Sequence, residues 1–367
     1  MTNATAKGLR HDYLVVADLT GYTKLLTGTE LEHAQAIVDE LTSLIVDCLA
    51  PPLRLVKLEG DAVLCCGAGP TIADGERLLE LIEVCYFTFV DRRRGMAGAT
   101  TCTCAACAAI GDLDLKFIAH HGEFLAHEMA GVHDIAGPDV ILVHRLLKNS
   151  IAERTGCRAY AFFTDTCLTH LPRLQQLERH AETYDELGEV SGGVYDLRPL
   201  LEGRQGPARR YVGSGDADFE FFAEFDCTPA ELWPYLLEPE KRLLWQGGLA
   251  GVESTPNEQN RLGVGALSHC DHGSWRAEQR YVDWRPFSYY TLVSRPTKMS
   301  TMALRPSDVT VELRPLDGRT EMAHRIRLHD RSWPSRMGLR VFAPLVRRAF
   351  RQDVERLRAA LAARDAA

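Results

Sequence analysis

The chain has 367 residues, of which 46% are hydrophobic and 25% are charged, and its formal net charge is −8. This length predicts two domains, each large enough for its own core. The negative charge argues against nucleic-acid binding, and no apolar run is long enough to cross a bilayer. The N-terminus lacks the apolar core of a signal peptide, and the eleven cysteines lie mostly in apolar segments. We therefore expect a cytoplasmic protein with reduced thiols.

Apolar runs and helical periodicity predict the elements of the N-terminal part in chain order. Strands are expected at 13–17, 53–66 (as a hairpin), 113–124, 157–163 and 193–197, and helices at 30–50, 71–94, 140–150 and 165–174. Residues 95–109 (GMAGATTCTCAACAA) are expected to form a small, flexible loop. This order of elements predicts an α/β sandwich with a mixed sheet, within the α+β class.

Two aspartates occupy the ends of predicted strands. Asp18 follows the apolar run YLVVA, and Asp61 lies at the glycine turn of the hairpin VKLEGDAVLCC. Hard carboxylate oxygens in this arrangement can bind Mg²⁺ or Mn²⁺. The alternative from spacing alone is that Asp18 caps the next helix and Asp61 is a solvated turn residue.

Four motifs in order give a resemblance over about residues 10–197. DLTGYT, KLEGD, KFIAHHGE and HDIAGPDVILVHRL resemble the catalytic domain of class III nucleotidyl cyclases, which has a ferredoxin-like α/β sandwich. The resemblance implies that Asp18 and Asp61 hold two metal ions and that Lys57 and Asp134 bind the base of a nucleoside triphosphate. It implies that Arg145 stabilises the transferring phosphate. It also implies a homodimer, because the metal aspartates face base-binding and arginine residues of a second copy.

Two positions depart from the cyclase pattern. Ile141 stands where the family has Asn, and residues 185–189 (DELGE) are acidic where many members carry a triphosphate-binding lysine. Each loss of a transition-state donor costs about 10²–10³ in rate. Two functions therefore remain: a weak nucleotide cyclase that forms a cyclic nucleotide and pyrophosphate, or a catalytically degenerate dimer that serves as a nucleotide- or lipid-responsive sensor.

A cluster of soft sulfur donors lies in the loop after the second long helix. Cys102, Cys104 and Cys107 could share a Zn²⁺ ion, with Cys85 or a histidine as the fourth ligand. The alternative is three small residues in a loop rich in alanine and threonine.

The pattern changes after residues 200–215, which we interpret as a linker between domains at 1–199 and 216–367. A strand at 219–225 and a helix capped by Thr228 precede alternating segments at 263–272, 274–284, 288–294, 308–315 and 319–329, and a basic helix at 334–363. CTPAELWPY at 227–235, VGA at 264–266, the run at 278–287 and TEM at 320–322 resemble START-like SRPBCC (polyketide cyclase/dehydrase-type) domains. The resemblance implies a helix-grip fold, a curved antiparallel sheet around a long helix.

A helix-grip domain encloses either a packed core or a ligand pocket between sheet and helix. The residues expected to face this space are Phe221, Trp233, Trp245, Trp275, Tyr281, Trp284, Tyr290 and Phe342, with His269, His272 and Arg280 as polar groups. We expect a pocket that binds an apolar small molecule and regulates the cyclase domain. A cavity below about 300 Å³ would instead indicate a packed core.

Overall fold

The computed structural model describes residues 8–50, 52–67, 75–129, 132–174, 177–199, 201, 210–258, 260–273, 275–298, 305–330 and 332–364; the side chains at 75, 76, 129, 132, 298, 333–342 and 364 lie outside the description. The chain forms two compact units, Met1–Gly206 and Pro207–Ala367. The division falls within the predicted linker, of which residues 200 and 202–209 lie outside the described residues. No helix in the described ranges is long and apolar enough to span a membrane.

The first unit contains a mixed sheet and several helices. Its strands are β1 (Gly8–Thr20), β2 (Arg54–Glu59), β3 (Ala62–Cys66), β4 (Asp114–Met129), β5 (Val132–Ala136), β6 (Tyr160–Thr164), β7 (Glu178–Tyr184) and β8 (Gly188–Asp196). Its helices are α1 (Tyr22–Gly28), α2 (Leu31–Leu49), α3 (Gly75–Ala99), α4 (Ala105–Ala108), α5 (Pro138–Leu146), α6 (Ile151–Thr155) and α7 (Asp165–Leu168), with a 3₁₀ turn at Ile110–Asp112.

The strand order in this sheet is β2-β3-β1-β4-β6-β8-β7, and β5 pairs with β4. The β4–β6 pair is parallel and the other pairs are antiparallel. β1 is central, and Tyr13–Ala17 is buried on both faces, as expected for a continuous apolar run in a covered strand. Leu14 and Val16 pack with α5 in one core cluster. The expected α+β sandwich with a mixed sheet is confirmed.

Three sequence-based expectations for this unit need correction. The helix expected at 165–174 ends at Leu168, because turns follow at 169 and 170. The helix α3 continues through residue 99, and α4 forms at Ala105–Ala108, so residues 95–109 are not a loop throughout. The strand β7 was not expected, because ERHAETY has mostly polar side chains and only His180 of it is buried. β7 is instead specified by its pairing over its whole length with residues 188–194 of β8.

The second unit contains one antiparallel sheet and a long C-terminal helix. Its strands are β9 (Phe219–Phe225), β10 (Gly251–Thr255), β11 (Leu267–Asp271), β12 (Arg276–Arg285), β13 (Tyr289–Lys298), β14 (Ser307–Leu316) and β15 (Arg319–Leu328). Its helices are α8 (Pro229–Leu237), α9 (Pro239–Trp245) and α10 (Trp333–Arg364), with a 3₁₀ turn at Ser214–Asp216. The strand order is β10-β11-β12-β13-β14-β15-β9.

The helix-grip arrangement is present in this unit. Val354, Leu357 and Leu361 of α10 share one core cluster with residues of α8 and of the sheet. Thr228 caps α8 as expected: its backbone N–H donates to Glu231 Oε2 at 2.7 Å, and its hydroxyl accepts from the Glu231 N–H at 3.4 Å. This reciprocal capping box satisfies two helix-end groups. The elements α9 and β10 were not expected, because both are short and largely exposed.

Candidate functional site

The carboxylates of Asp18 and Asp61 lie side by side at one end of the first sheet. Asp18 pairs in register with Ala62, the residue after Asp61. Gly60 has a φ of 66°, a left-handed conformation that glycine adopts without strain and that closes the β2–β3 turn beside Asp18. The two side chains are close enough to share a hydrogen bond. The structure thus brings together the two residues predicted to bind metal.

The electrostatics of this pair favour a cation. Burial raises the pKa of Asp61 to about 7; the charge of Asp18 adds to the increase, and Lys116 opposes it. Two carboxylates held together in a partly buried site repel each other, and a divalent cation removes that repulsion. The donors are hard oxygens, so their chemistry fits Mg²⁺ or Mn²⁺.

Lys116 was missed from the sequence and is the nearest cation to this pair. It lies directly opposite Asp18 on β4, and its Nζ is 3.1 Å from Asp18 Oδ2. The same ammonium donates to the Leu147 carbonyl at 2.9 Å. In the sequence, Lys116 could have been noticed as the first residue of the motif KFIAHHGE. Its partner Asp18 is shown only by the register between β1 and β4. Lys116 therefore competes with any metal ion for Asp18.

Lys57 and Asp134, the predicted base-binding pair, are also brought together. Lys57 Nζ is 3.7 Å from Asp134 Oδ1 and 2.9 Å from Glu59 Oε1. Hydrogen bonding to Glu59 is the main cause that raises the pKa of Lys57. Glu59 Oε2 also lies 3.1 Å from His144 Nδ1. Sequence reasoning missed Glu59 and His144, although Lys57 and Glu59 are two apart on β2 and so share a face.

Arg145 and Ile141 lie one turn apart on α5 and are both exposed. No hydrogen bond joins the Arg145 side chain to another described residue; its carbonyl accepts from the Tyr184 hydroxyl at 3.1 Å. The structure therefore does not place Arg145 against the aspartate pair within one copy of the chain. Ile141 is 54% exposed, as single apolar side chains on protein surfaces often are. The acidic segment at 185–189 comprises the turn between β7 and β8 and the first two residues of β8, and most of it is exposed.

The cysteine loop converges on a residue from α2. His33 Nδ1 lies 3.1 Å from Cys104 Sγ, 3.6 Å from Cys102 Sγ and 3.9 Å from Cys107 Sγ. Of the two fourth ligands considered from the sequence, the structure brings a histidine to the cluster and not Cys85. Cys85 is fully buried on α3.

Two spaces lie between the sheet and α10 in the second unit. A cavity of about 190 Å³ is lined in part by Trp245, Tyr281 and Tyr290. Trp233 and Trp284 instead pack against each other, with ring centroids 5.3 Å apart. A groove of about 320 Å³ between β9 and α10 is lined in part by Phe221 and Phe350, so the aromatic cluster narrows the space between sheet and helix without filling it.

Several other candidates for this pocket lie elsewhere. His269 and Arg280 are exposed, because strand side chains alternate and their neighbours Cys270 and Tyr281 face the core. Trp275 stacks on His272 with ring centroids 3.8 Å apart. The remaining aromatic candidates are Phe221, which stacks on Phe350, and Phe342, whose side chain lies outside the described residues.

Arg242 was missed, and it is the main polar group at this cavity. Its side chain lies on α9, and the residue is only 5% exposed. The guanidinium donates to Gln246 Oε1 at 3.0 Å, to Ser268 Oγ at 3.1 Å and to Gln279 Oε1 at 3.3 Å. In the described part of the chain no carboxylate forms an ion pair with it. Buried charges are normally paired, so this cation lacks its usual partner.

Two family profiles match the chain. Residues 38–155 match a family described as protein of unknown function (DUF2652), and residues 216–362 match polyketide cyclase / dehydrase and lipid transport. The second match confirms the resemblance stated from the motifs of the C-terminal half.

Solved structures similar to the chain are nucleotide cyclases and a protein from Arthrobacter aurescens. The guanylyl cyclase Cya2 is 15% identical, with 52% of this chain and 94% of that chain covered and a TM-score of 0.41. The adenylyl cyclase CyaB from P. aeruginosa is 14% identical, with coverages of 56% and 99% and a TM-score of 0.37. The Arthrobacter protein is 19% identical, with coverages of 39% and 85% and a TM-score of 0.32.

A curated relative matches half of the chain at higher identity. The uncharacterized protein Rv2561/Rv2562 of Mycobacterium tuberculosis is 30% identical over 187 residues, which are 50% of this chain and 84% of the relative. The chain belongs to the same family as this mycobacterial protein.

Proposed function

We propose that the N-terminal unit is a metal-dependent nucleotide cyclase that converts a nucleoside triphosphate into a cyclic nucleotide and pyrophosphate. The observation that carries this proposal is the pair of carboxylates, Asp18 and Asp61, held together at a strand end and a hairpin tip. The Lys57–Asp134 contact of 3.7 Å supports it. The lysine ammonium can donate to an acceptor on the edge of a base, and the carboxylate beside it can accept from an amino group on the same edge.

Each residue has a defined part in this reaction. The ribose 3′-oxygen forms a bond to the α-phosphorus, and its hydroxyl proton passes to solvent. The bond between the α-phosphorus and the oxygen that bridges it to the β-phosphate breaks, which releases pyrophosphate. Asp18 and Asp61 would hold the metal ions, which when bound would supply polarisation of the phosphate and favour the ionised hydroxyl. Lys57 and Asp134 orient the base, and Arg145 from a second copy balances charge on the phosphate.

The second candidate function is a nucleotide-binding sensor without turnover. Ile141 cannot donate a hydrogen bond, and its exposure at 54% places an apolar surface where the cyclase pattern has an amide. The exposed acidic turn at 185–189 disfavours a triphosphate unless a metal ion lies between. Both features would lower the rate while leaving the metal-binding carboxylates in place.

One assay separates the two functions. Purified protein is incubated with Mn²⁺ and ATP, GTP, CTP or UTP in turn, and products are identified by mass spectrometry. We expect one cyclic nucleotide, which Asp61→Ala abolishes and Asp39→Ala, a change at an exposed carboxylate on α2, leaves unchanged. Binding of a nucleotide with Mn²⁺ but no cyclic product in the wild type would contradict the enzyme and favour the sensor.

For the C-terminal unit we propose that the ligand is a small acid with an apolar body, whose binding regulates the cyclase. Arg242 carries this proposal, since its buried charge has only neutral partners. Asp353 also lines the cavity, but its carboxylate accepts from the Gly247 N–H at 2.9 Å and pairs with Arg356. A ligand carboxylate would complete the charge balance at Arg242. A cavity of about 150 Å³ is known to accept benzene, so 190 Å³ suits an acid of about one ring.

The ligand class can be tested without knowledge of the natural ligand. Melting temperatures are measured with benzoate and phenylacetate and with the matched neutral compounds benzamide and phenylacetamide. We expect the acids to raise the melting temperature and the amides not to do so. Arg242→Met should remove the effect, whereas Arg280→Met, on the exposed face of β12, should keep it. An equal shift from acid and amide, or none from either acid, would contradict the proposal.

A further inference from the structure

Four soft donors converge where the loop before α4 meets the first turn of α2. They are His33 Nδ1 and the sulfur atoms of Cys102, Cys104 and Cys107, and all four lie within 4.8 Å of one another. Three come from six consecutive residues, whereas the fourth comes from a helix about 70 positions earlier in the chain. Neither the two-metal site nor the cavity of the second unit uses any of them.

The separations match a tetrahedral zinc site. With Zn–S near 2.3 Å and Zn–N near 2.0–2.1 Å, tetrahedral angles put each sulfur about 3.6 Å from the nitrogen. The three observed distances from His33 Nδ1 are 3.1, 3.6 and 3.9 Å, on both sides of that value. All three cysteines are free thiols. One histidine and three thiolates are an established donor set for structural zinc.

The backbone around the cluster is held in place by its own hydrogen bonds. The Cys107 N–H donates to Cys104 Sγ at 3.4 Å, so Cys104 caps the short helix α4. The Ala106 N–H donates to Glu30 Oε2 at 3.1 Å, which ties α4 to the residue before α2. These contacts orient the cysteine side chains toward His33 in a loop of small residues with little packing of its own. An N–H donated to a ligand sulfur is the kind of supporting contact that orients metal ligands.

We propose that His33, Cys102, Cys104 and Cys107 bind one Zn²⁺ ion in a closed structural site. Four protein donors leave no open position, so the ion fastens the cysteine loop to the start of α2 and performs no catalysis. The proposal is independent of the cyclase activity. Zinc binding would stabilise the folded segment between α3 and β4, because an ion that binds only the folded site favours the folded state.

Metal content and a spectroscopic probe test the site directly. The full chain is purified under reducing conditions without chelator, and its zinc is measured by mass spectrometry. We expect one zinc per chain, and about the same amount of Co²⁺ after exchange, with the strong visible absorption of a tetrahedral thiolate site. His33→Ala and Cys104→Ser should lose most of the metal. Cys48→Ser, a change at a half-buried cysteine on the other end of α2, should keep it.

Thiol protection gives a second readout that does not depend on how the variants fold. In the wild type, alkylation by iodoacetamide is followed at each cysteine by peptide mass spectrometry before and after EDTA. We expect Cys102, Cys104 and Cys107 to react only after chelation, although they lie at the surface. Zinc below one-tenth per chain, equal zinc in the His33 and Cys104 variants, or fast alkylation that EDTA does not change would each overturn the proposal.

Discussion

At the scale of single residues, Lys116 is the group that decides how strongly the aspartate pair binds a cation. Its ammonium is 3.1 Å from Asp18 Oδ2, and both side chains are less than one-fifth exposed. Because both side chains are shielded from solvent, this ion pair has a more favourable interaction free energy than an exposed surface pair. A divalent ion at Asp18 must displace this ammonium or share the carboxylate with it.

Removal of this ammonium should strengthen metal binding. Lys116→Met keeps the apolar stem and removes the competing charge, so we expect the Kd for Mn²⁺ to fall about tenfold, or about 1.4 kcal/mol. Titration calorimetry without nucleotide measures it. Lys24→Met, at an exposed lysine paired with Asp112, is the control and should leave the Kd unchanged. Weaker binding in Lys116→Met would show that the lysine supports the site instead of competing with the metal ion.

His324 should make the second unit sensitive to acid. It lines the cavity of the second unit beside Phe350, and its Nδ1 is buried without a partner among the described residues. Burial lowers the pKa of His324 to about 4 from an ordinary value of 6.5. Between about pH 4 and pH 6.5, His324 is protonated in the unfolded chain but not in the folded chain. The free energy of unfolding should therefore fall as the pH drops from about 6.5 towards 4.

The size of this effect can be isolated by substitution. A difference of about 2.5 pKa units corresponds to a loss of about 3 kcal/mol of unfolding free energy over the pH range. His324→Gln should remove that part of the pH dependence, and His269→Gln, at an exposed histidine on β11, should keep the wild-type dependence. Urea unfolding between pH 4 and pH 7 measures it. An unchanged pH slope in His324→Gln would contradict the assigned pKa.

At the scale of elements, the sequence predicts the turns, strands and helix caps that depend only on residues nearby in the chain. The β2–β3 hairpin, the strand at Phe219–Phe225 and the cap at Thr228 were all predicted, because a turn glycine, a strand pattern or a cap acts within a few residues. The strand β7 was not predicted, because its side chains are mostly polar and its pairing with β8 specifies it. The partner of Lys116 was not predicted either, because it depends on the pairing of β1 with the distant strand β4. His269 and Arg280 were assigned to the wrong face because one residue of register reverses every side chain.

The capping box at Thr228 gives a prediction for one element. Thr228→Ala removes the acceptor for the Glu231 N–H, and we expect the second unit to lose about 1 kcal/mol of unfolding free energy. Thr228→Ser keeps the hydroxyl and should stay close to the wild type. All five tryptophans lie between residues 233 and 333, so tryptophan fluorescence in urea reports on this unit alone. Equal losses in the two variants would mean that the methyl group, and not the cap, is responsible.

At the scale of the whole molecule, the proposed cyclase would need two sets of groups from the first unit in different halves of a site. The aspartate pair lies at the β1 end, whereas the side chain of Arg145 is exposed on α5 and does not reach that pair in one copy. Apolar side chains are also exposed on this unit. Leu9 and Leu125 lie opposite each other on β1 and β4 and are 66% and 47% exposed. A second copy related by a two-fold axis would complete both sites and cover apolar surface.

Complementation between inactive variants tests this dimer. Asp61→Ala removes a metal ligand and Arg145→Ala removes the phosphate-binding cation, so each homodimer should be inactive. If each site takes these groups from different copies, mixing the two variants should restore about a quarter of the wild-type activity, because half of the dimers are mixed and each has one working site. A mixture of Asp18→Ala and Asp61→Ala, both changed in the same half of the site, should stay inactive. No recovery in the first mixture, or a monomer by light scattering at micromolar concentration, would contradict the shared site.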